Sequence, residues 1–349
     1  MSRAFEPPPQ WQNQFGPYRS PLIFYDGTPV STAGDWPRRR EEIRRRWTDI
    51  LGPWPQLEKK PPYDVLESTT WQGSTVRRVR LELPPRGIGY AYLTIPQGAQ
   101  HCPAVLVLSG DGETTTGNAH TGADLALDLA ERGFVTLLIG PPGGNPRKLE
   151  MNDVECQPLM YLAYIGAVCA NLLANLPEVD AAKIGVVGHA YAGKWAMFAS
   201  CLDDRFACAV WSEAGIIFDE RKASTDYYDP WYLGAMTRPR RGAPRREEEH
   251  IRKGAYGLLY HAGLNLQELH ALMAPRPFLV SAGSSRLPSL AIRCADDESR
   301  WIVLNHSIAV NQLLGLQRRV AMINHPSHDL TPQAKEEIYR FLEDCLRGG

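Results

Sequence analysis

Lys183-Ile184-Gly185-Val186-Val187-Gly188-His189-Ala190-Tyr191-Ala192-Gly193-Lys194-Trp195 decides how the other residues of this 349-residue chain are read. Ile184–Val187 is a short apolar run of the kind a fully buried strand carries. Gly188 ends it, a sharp turn follows, and a helix is expected to start near Tyr191. Gly188 and Ala192 flank the apex, where larger side chains would collide with strand and helix. Ala192 stands where a second glycine is expected, and a slightly wider turn absorbs it. Ala190, at the apex, is expected at positive φ, which costs about 1 kcal/mol for a residue with a Cβ. An alanine gains nothing in return for that strain.

The surrounding chain alternates strands and helices. Apolar runs recur at Ala104–Ser109, Phe134–Gly140, Cys208–Trp211, Pro277–Ser281 and Val320–Ile323. Helical stretches lie between them, at about 123–132, 158–176, 299–315 and 331–346. Such alternation predicts a mostly parallel central sheet with helices on both faces. Thr75–Leu83 and Gly89–Ile95 alternate with a period of two and predict an antiparallel pair ahead of it. Residues 1–34, rich in Pro, Gly and polar residues, read as an irregular arm. Ile43, Trp47, Ile50 and Leu51 recur at helical spacing within 35–51 and predict a docked helix, its arginine run lying on a solvated face. Residues 52–63 read as a proline-rich linker. The expected organisation is an N-terminal arm and helix over 1–62 and an α/β domain over 63–349. A cap insertion at about 214–262, carrying Tyr227, Tyr228, Trp231 and Tyr232, interrupts the alternation.

Composition narrows the function. The chain is 44% hydrophobic and 22% charged, with 38 Lys plus Arg against 39 Asp plus Glu. A net charge of -1 gives no overall field for nucleic acid or an anionic membrane. The N-terminus lacks the apolar core of a signal peptide, and no 18-residue apolar run follows. The seven cysteines are scattered, without a Cys-x-x-Cys pair, and mostly in apolar stretches, so buried free thiols are expected. No metal-ligand spacing stands out, and no cofactor is expected.

A serine at the apex of a Gly-x-Ser-x-Gly turn is a nucleophile that needs a base, and the base needs an orienting acid. The base belongs on the loop after the last strand, where the sequence runs Asn324-His325-Pro326-Ser327-His328-Asp329-Leu330-Thr331-Pro332. His328, just before a helix start, is preferred, with His325 as the alternative. For the acid, Glu213 follows the run Cys208–Trp211, while Asp296, Asp297 or Glu298 follow the run Pro277–Ser281. Asp297 is kept as the alternative to Glu213. Oxyanion-stabilising N–H groups are expected from Tyr191, after the apex, and from Gly110 and Asp111, after the run Ala104–Leu108.

With serine imagined at 190, Gly188-His189-Ala190-Tyr191-Ala192-Gly193-Lys194 resembles the elbow of bacterial α/β-hydrolases of acetyl xylan esterase-like and dienelactone hydrolase-like type. It is also similar to the glucuronoyl esterase family, whose elbow runs Gly-x-Ser-Arg-x-Gly-Lys. The likeness extends from about Ala104 to the C-terminus. It implies an α/β-hydrolase fold, with Glu213 as acid, His328 as base and Lys194 as a contact to sugar hydroxyls. An aromatic cap including Trp231 would suit stacking on a saccharide. Tyr191 stands where that family has an oxyanion-stabilising arginine, and the nucleophile is Ala190. The sequence thus reads in two ways. One is a serine esterase on a carbohydrate ester in nucleophile-minus form, acting on a saccharide or other small ester without nucleic acid, membrane or cofactor. The other is a natural pseudoenzyme or ligand-binding protein on a hydrolase fold.

Overall fold

The computed structural model describes residues 2–110, 121–145, 149–151, 153–218, 254–283 and 296–348. Backbone contacts divide the chain into two units. Most of the proposed cap insertion, including Trp231, lies outside the described residues, as does Asp111.

One unit comprises Trp54–Val154, Tyr161–Ala214 and Leu330–Gly349. Among its described residues seven strands build it: β1 (Tyr63–Trp71), β2 (Ser74–Leu83), β3 (Gly87–Pro96), β4 (Cys102–Leu108), β5 (Val135–Ile139), β6 (Val179–His189) and β7 (Phe206–Ser212). Their order is β1-β2-β3-β5-β4-β6-β7. The ladders up to β3–β5 are antiparallel, and β5-β4-β6-β7 are parallel. The parallel strands read as continuous apolar runs because both their faces are covered. All five residues of β5 are buried, and so are Ala104–Leu108 of β4. Helices α2 (Thr121–Glu131), α4 (Tyr191–Leu202) and α8 (Pro332–Arg347) pack against these strands. Thr331 starts α8 by accepting the Ala334 N–H on its Oγ1 at 3.2 Å, with Pro332 in the first turn. Helix α3 (Pro158–Ala174) runs almost entirely buried.

Strand β1 has no counterpart in the sequence reading. Eight of its nine residues are exposed, so it carries no apolar alternation. Its place comes from backbone pairing with β2, interrupted by a bulge between Val65 and Glu67.

The other unit comprises Met1–Pro53, Glu155–Met160 and Gly215–Asp329. Strands β8 (Phe278–Gly283) and β9 (Val320–His325) pair in parallel in it. Its α-helices among the described residues are α1 (Trp36–Leu51), α5 (Gly254–His261), α6 (Leu266–Ala271) and α7 (Trp301–Leu313). Ile43, Trp47 and Leu51 of α1 are fully buried, as the spacing predicts, while Ile50 is only half-buried. The arginine run departs from expectation at Arg39, which is also fully buried. Its guanidinium bonds Glu42 at 2.6 Å and Glu268 at 2.7 Å, donates to the Pro21 carbonyl and lies over the Tyr25 ring. Two carboxylates and an aromatic face replace the water that a buried guanidinium loses. Burial raises the Glu268 carboxyl above its ordinary range, against the pull of Arg39.

The N-terminal arm is irregular but pinned. Asn305 donates to the carbonyls of Trp11 and Gln14, each at 2.7 Å. His306 sits in an edge-on contact with Phe15, and its Nε2–H donates to the Phe15 carbonyl at 3.0 Å. Burial lowers the His306 pKa below the ordinary histidine value. In the window between that lowered value and about 6.5, the unfolded chain binds a proton that the folded chain does not. Folding stability therefore rises with pH through this window and is flat in this respect above it. Urea unfolding of the parent and of His306→Gln between pH 5 and 7.5 checks this. The parent should lose stability relative to the variant as pH falls; parallel pH profiles would contradict it.

Candidate active site

The turn after β6 is tightly constrained. Ala190 has φ 55 and ψ -115, a combination that side-chain-bearing residues rarely adopt. Its N–H donates to the Ser212 carbonyl at 2.8 Å, and its own carbonyl accepts the Lys194 N–H at 3.1 Å, opening α4. The expected positive φ is thus present. A Cβ on Gly188 would fall on the Ala192 carbonyl, and one on Gly193 on the Ser212 carbonyl. Gly188 therefore has the steric role read from the sequence. The second tight position is Gly193 rather than 192, where Ala192 packs in full burial.

Strand register brings other groups to this turn. Leu108 pairs with Gly188, and Gly188 and His189 pair with Trp211 and Ser212. The C-terminal ends of β4, β6 and β7 thus lie side by side. Gly110 comes close to Tyr191: a Cβ built on it would lie 3.6 Å from the Tyr191 Cβ. Two of the residues read as oxyanion donors are therefore neighbours. Glu213 directly follows Ser212, is 5% exposed, and takes a positive φ of 50. His189 Nδ1 lies 2.9 Å from Ser212 Oγ, a link not read from the sequence. Lys194 is buried at 4% exposure in the first turn of α4.

The remaining candidates belong to the unit holding β8 and β9. His325 ends β9, paired with Gly283, and is buried. His328 lies three residues farther, with a side chain 34% exposed and Nδ1 3.8 Å from Asp329 Oδ1. The three acids 296–298 separate by environment. Asp296 is fully buried, and its carboxylate accepts the N–H groups of Gly215 at 2.8 Å and Ile216 at 2.7 Å. Its carbonyl accepts from Asn324 Nδ2 at 3.0 Å, which joins the chain after β8 to β9. Asp297 accepts the Ser299 N–H at 3.0 Å as the cap of a short 3₁₀ turn. Glu298 accepts from Gln10 and Trp11 of the arm. Each of the three thus has a structural task.

The chain matches no protein-family model. An uncharacterized protein of Pseudomonas aeruginosa is 29% identical over 153 residues, which are 42% of this chain and 38% of that protein. The match thus spans well under half of that relative. Among solved structures, a glucuronoyl esterase from Solibacter usitatus superposes with a TM-score of 0.71 at 18% identity, covering 93% of this chain and 97% of that one. A carbohydrate esterase family 15 glucuronoyl esterase from Caldicellulosiruptor kristjansonii gives 0.65 at 21% identity, with 97% and 93% covered. An acetyl xylan esterase from Paenibacillus sp. R4 gives 0.57 at 15% identity, with 98% and 100% covered. The chain shares their α/β-hydrolase fold, with its mostly parallel sheet and helices.

The turn makes two stability predictions. Ala190→Gly should stabilise the fold by about 1 kcal/mol, because relief of the strained φ outweighs the extra freedom of glycine in the unfolded chain. Gly193→Ala should cost at least about 3 kcal/mol, because the obstacle is backbone that cannot move aside. Denaturant unfolding measures both. A neutral Gly193→Ala would contradict the packing described.

Proposed function

We propose that this chain is a carboxylic ester hydrolase by descent, of the kind that acts on carbohydrate esters, with Ala190 in the place of its serine nucleophile. In the serine form, the hydroxyl at 190 would attack the ester carbonyl. His328 would take the proton, and Glu213 would hold the imidazole in orientation. The N–H groups of Tyr191 and Gly110 would receive the negative charge on the carbonyl oxygen. The alcohol would leave with the proton from His328, and water would release the acyl group by the same route in reverse. In the present chain the first bond cannot form, so it binds esters without acylation. Loss of the serine from a comparable triad lowers kcat by on the order of 10⁶-fold in subtilisin.

One observation carries this reading. The backbone at 190 is held at φ 55 and ψ -115, a costly conformation that would lift a serine side chain clear above the sheet. Glu213 is favoured as the acid because it is buried directly after Ser212, whose carbonyl holds the Ala190 N–H. The named activities of the similarly folded esterases support the carbohydrate ester class. Burial of Lys194 beside the turn fits a positioned contact to a sugar better than a solvated lysine does. A second reading, a ligand-binding protein that no longer hydrolyses, is favoured by Ala190 itself.

Ala190→Ser separates the two. With p-nitrophenyl acetate and a uronate methyl ester as substrates, it should raise turnover at least about 10³-fold over the parent. In that background Glu213→Gln should lower kcat by about 10²-fold or more, with Asp297→Asn near neutral. Folded Ala190→Ser protein with turnover no higher than the parent would move the assignment to the ligand-binding reading. Full activity in the Glu213→Gln form would overturn the choice of acid.

A further inference from the structure

Two thiols meet beneath the C-terminal helix of the unit that holds β1 to β7. Cys208 lies on β7 and is fully buried. Cys345 lies near the end of α8 and is half-buried. Both are free cysteines. Neither has a part in the reaction proposed above.

Strand register and helix period bring them together. Cys208 pairs with Gly185 of β6. A Cβ built on Gly185 would lie 3.3 Å from Cys208 Sγ, 3.1 Å from Leu346 Cδ1 and 3.3 Å from Leu342 Cδ2. The Cys208 sulfur therefore sits under the face of α8 that carries Leu342 and Leu346. Cys345, three residues beyond Leu342, belongs to that same face. Its thiol is hydrogen-bonded to the thiol of Cys208. That bond, and after it burial, hold the Cys208 thiol well above its ordinary value.

We propose that Cys208 and Cys345 are a redox-sensitive staple, which a small disulfide closes into a disulfide bond fastening α8 to β7. The Cys345 thiolate, on the more exposed side, attacks one sulfur of oxidised glutathione and displaces a glutathione thiolate. Cys208 then gives up its proton, and its sulfur attacks the Cys345 sulfur and displaces the second glutathione thiolate. The two cysteines lose two electrons and two protons. Oxidised glutathione takes them up and leaves as two molecules of reduced glutathione. Because the Cys208 thiol is held high, its attack is the slow step at neutral pH and quickens as pH rises.

The staple acts on the strand that anchors the turn. Strand β7 ends at Ser212, whose carbonyl holds the Ala190 N–H. The bond would close a ring containing the whole sequence from Cys208 to Cys345, and a long ring removes more freedom from the unfolded chain than a short one. It does not depend on ester chemistry at position 190. Failure of Ala190→Ser to turn over esters leaves it standing, and its own failure leaves the esterase reading standing.

The test treats the folded, full chain with excess oxidised glutathione, alkylates the remaining thiols in denaturant and maps the peptides by mass. One peptide pair should join Cys208 to Cys345, lighter by two hydrogens than its parts. It should form several-fold faster at about pH 8.5 than at about pH 7. The joined chain should melt at least about 4 °C higher, and dithiothreitol should reverse the gain. Cys345→Ser should abolish both the link and the gain; Cys345→Ala repeats the comparison without a hydroxyl. Prolonged treatment that leaves both residues alkylated singly would overturn the proposal. So would glutathione that remains on Cys345 without passing the bond to Cys208. A linked chain with an unchanged Tm would show that the bond fastens nothing.

Discussion

The contact of the α4 backbone with the end of β7 is the constraint on which the turn depends. Gly193 lies so close to the Ser212 carbonyl that no side chain fits between them, and the same carbonyl accepts the Ala190 N–H. Gly188 closes the other side against the Ala192 carbonyl. With both flanks fixed, the residue between has no choice of conformation. Positive φ at Ala190 is therefore imposed by its neighbours. The strain persists because the packing around it over-determines the backbone.

The same end of the parallel strands concentrates polar groups that a purely structural turn does not need. Glu213 is buried at positive φ immediately after Ser212, and Lys194 is buried in the first turn of the helix. Burying a charged side chain is costly unless its surroundings compensate, so such residues are seldom accidental. The N-terminal end of α4 adds its positive dipole near the apex. In the proposed reading these groups surround a reacting oxygen at 190, whose place the methyl group of Ala190 takes.

The parts of the fold legible in the sequence were those fixed by local apolar pattern. The runs around β4, β5, β6 and β7 are buried on both faces, and Ile43, Trp47 and Leu51 mark the inner side of α1. The strained apex was legible because Gly188 and the following helix start leave few conformations for residue 190. What escaped depends on partners far away in the chain. Burial of Arg39 requires Glu268, 229 residues on. The strand β1 is held by its backbone and shows no side-chain rhythm. The acids at 296–298 look alike in sequence; the N–H groups each one meets give Asp296 and Asp297 different tasks. Gly193 rather than residue 192 bears the close contact because helix α4 touches β7 there, which only the packing reveals.

The central claim is that the backbone at 190 still presents a side chain for nucleophilic attack. Its most direct test is labelling of the Ala190→Ser chain with a fluorophosphonate, followed by peptide mass mapping. The account predicts one adduct, on the serine introduced at 190, which fails to form when His328→Ala is added, and no adduct on the parent. A folded Ala190→Ser chain that stays unlabelled, or labels equally well without His328, would contradict it.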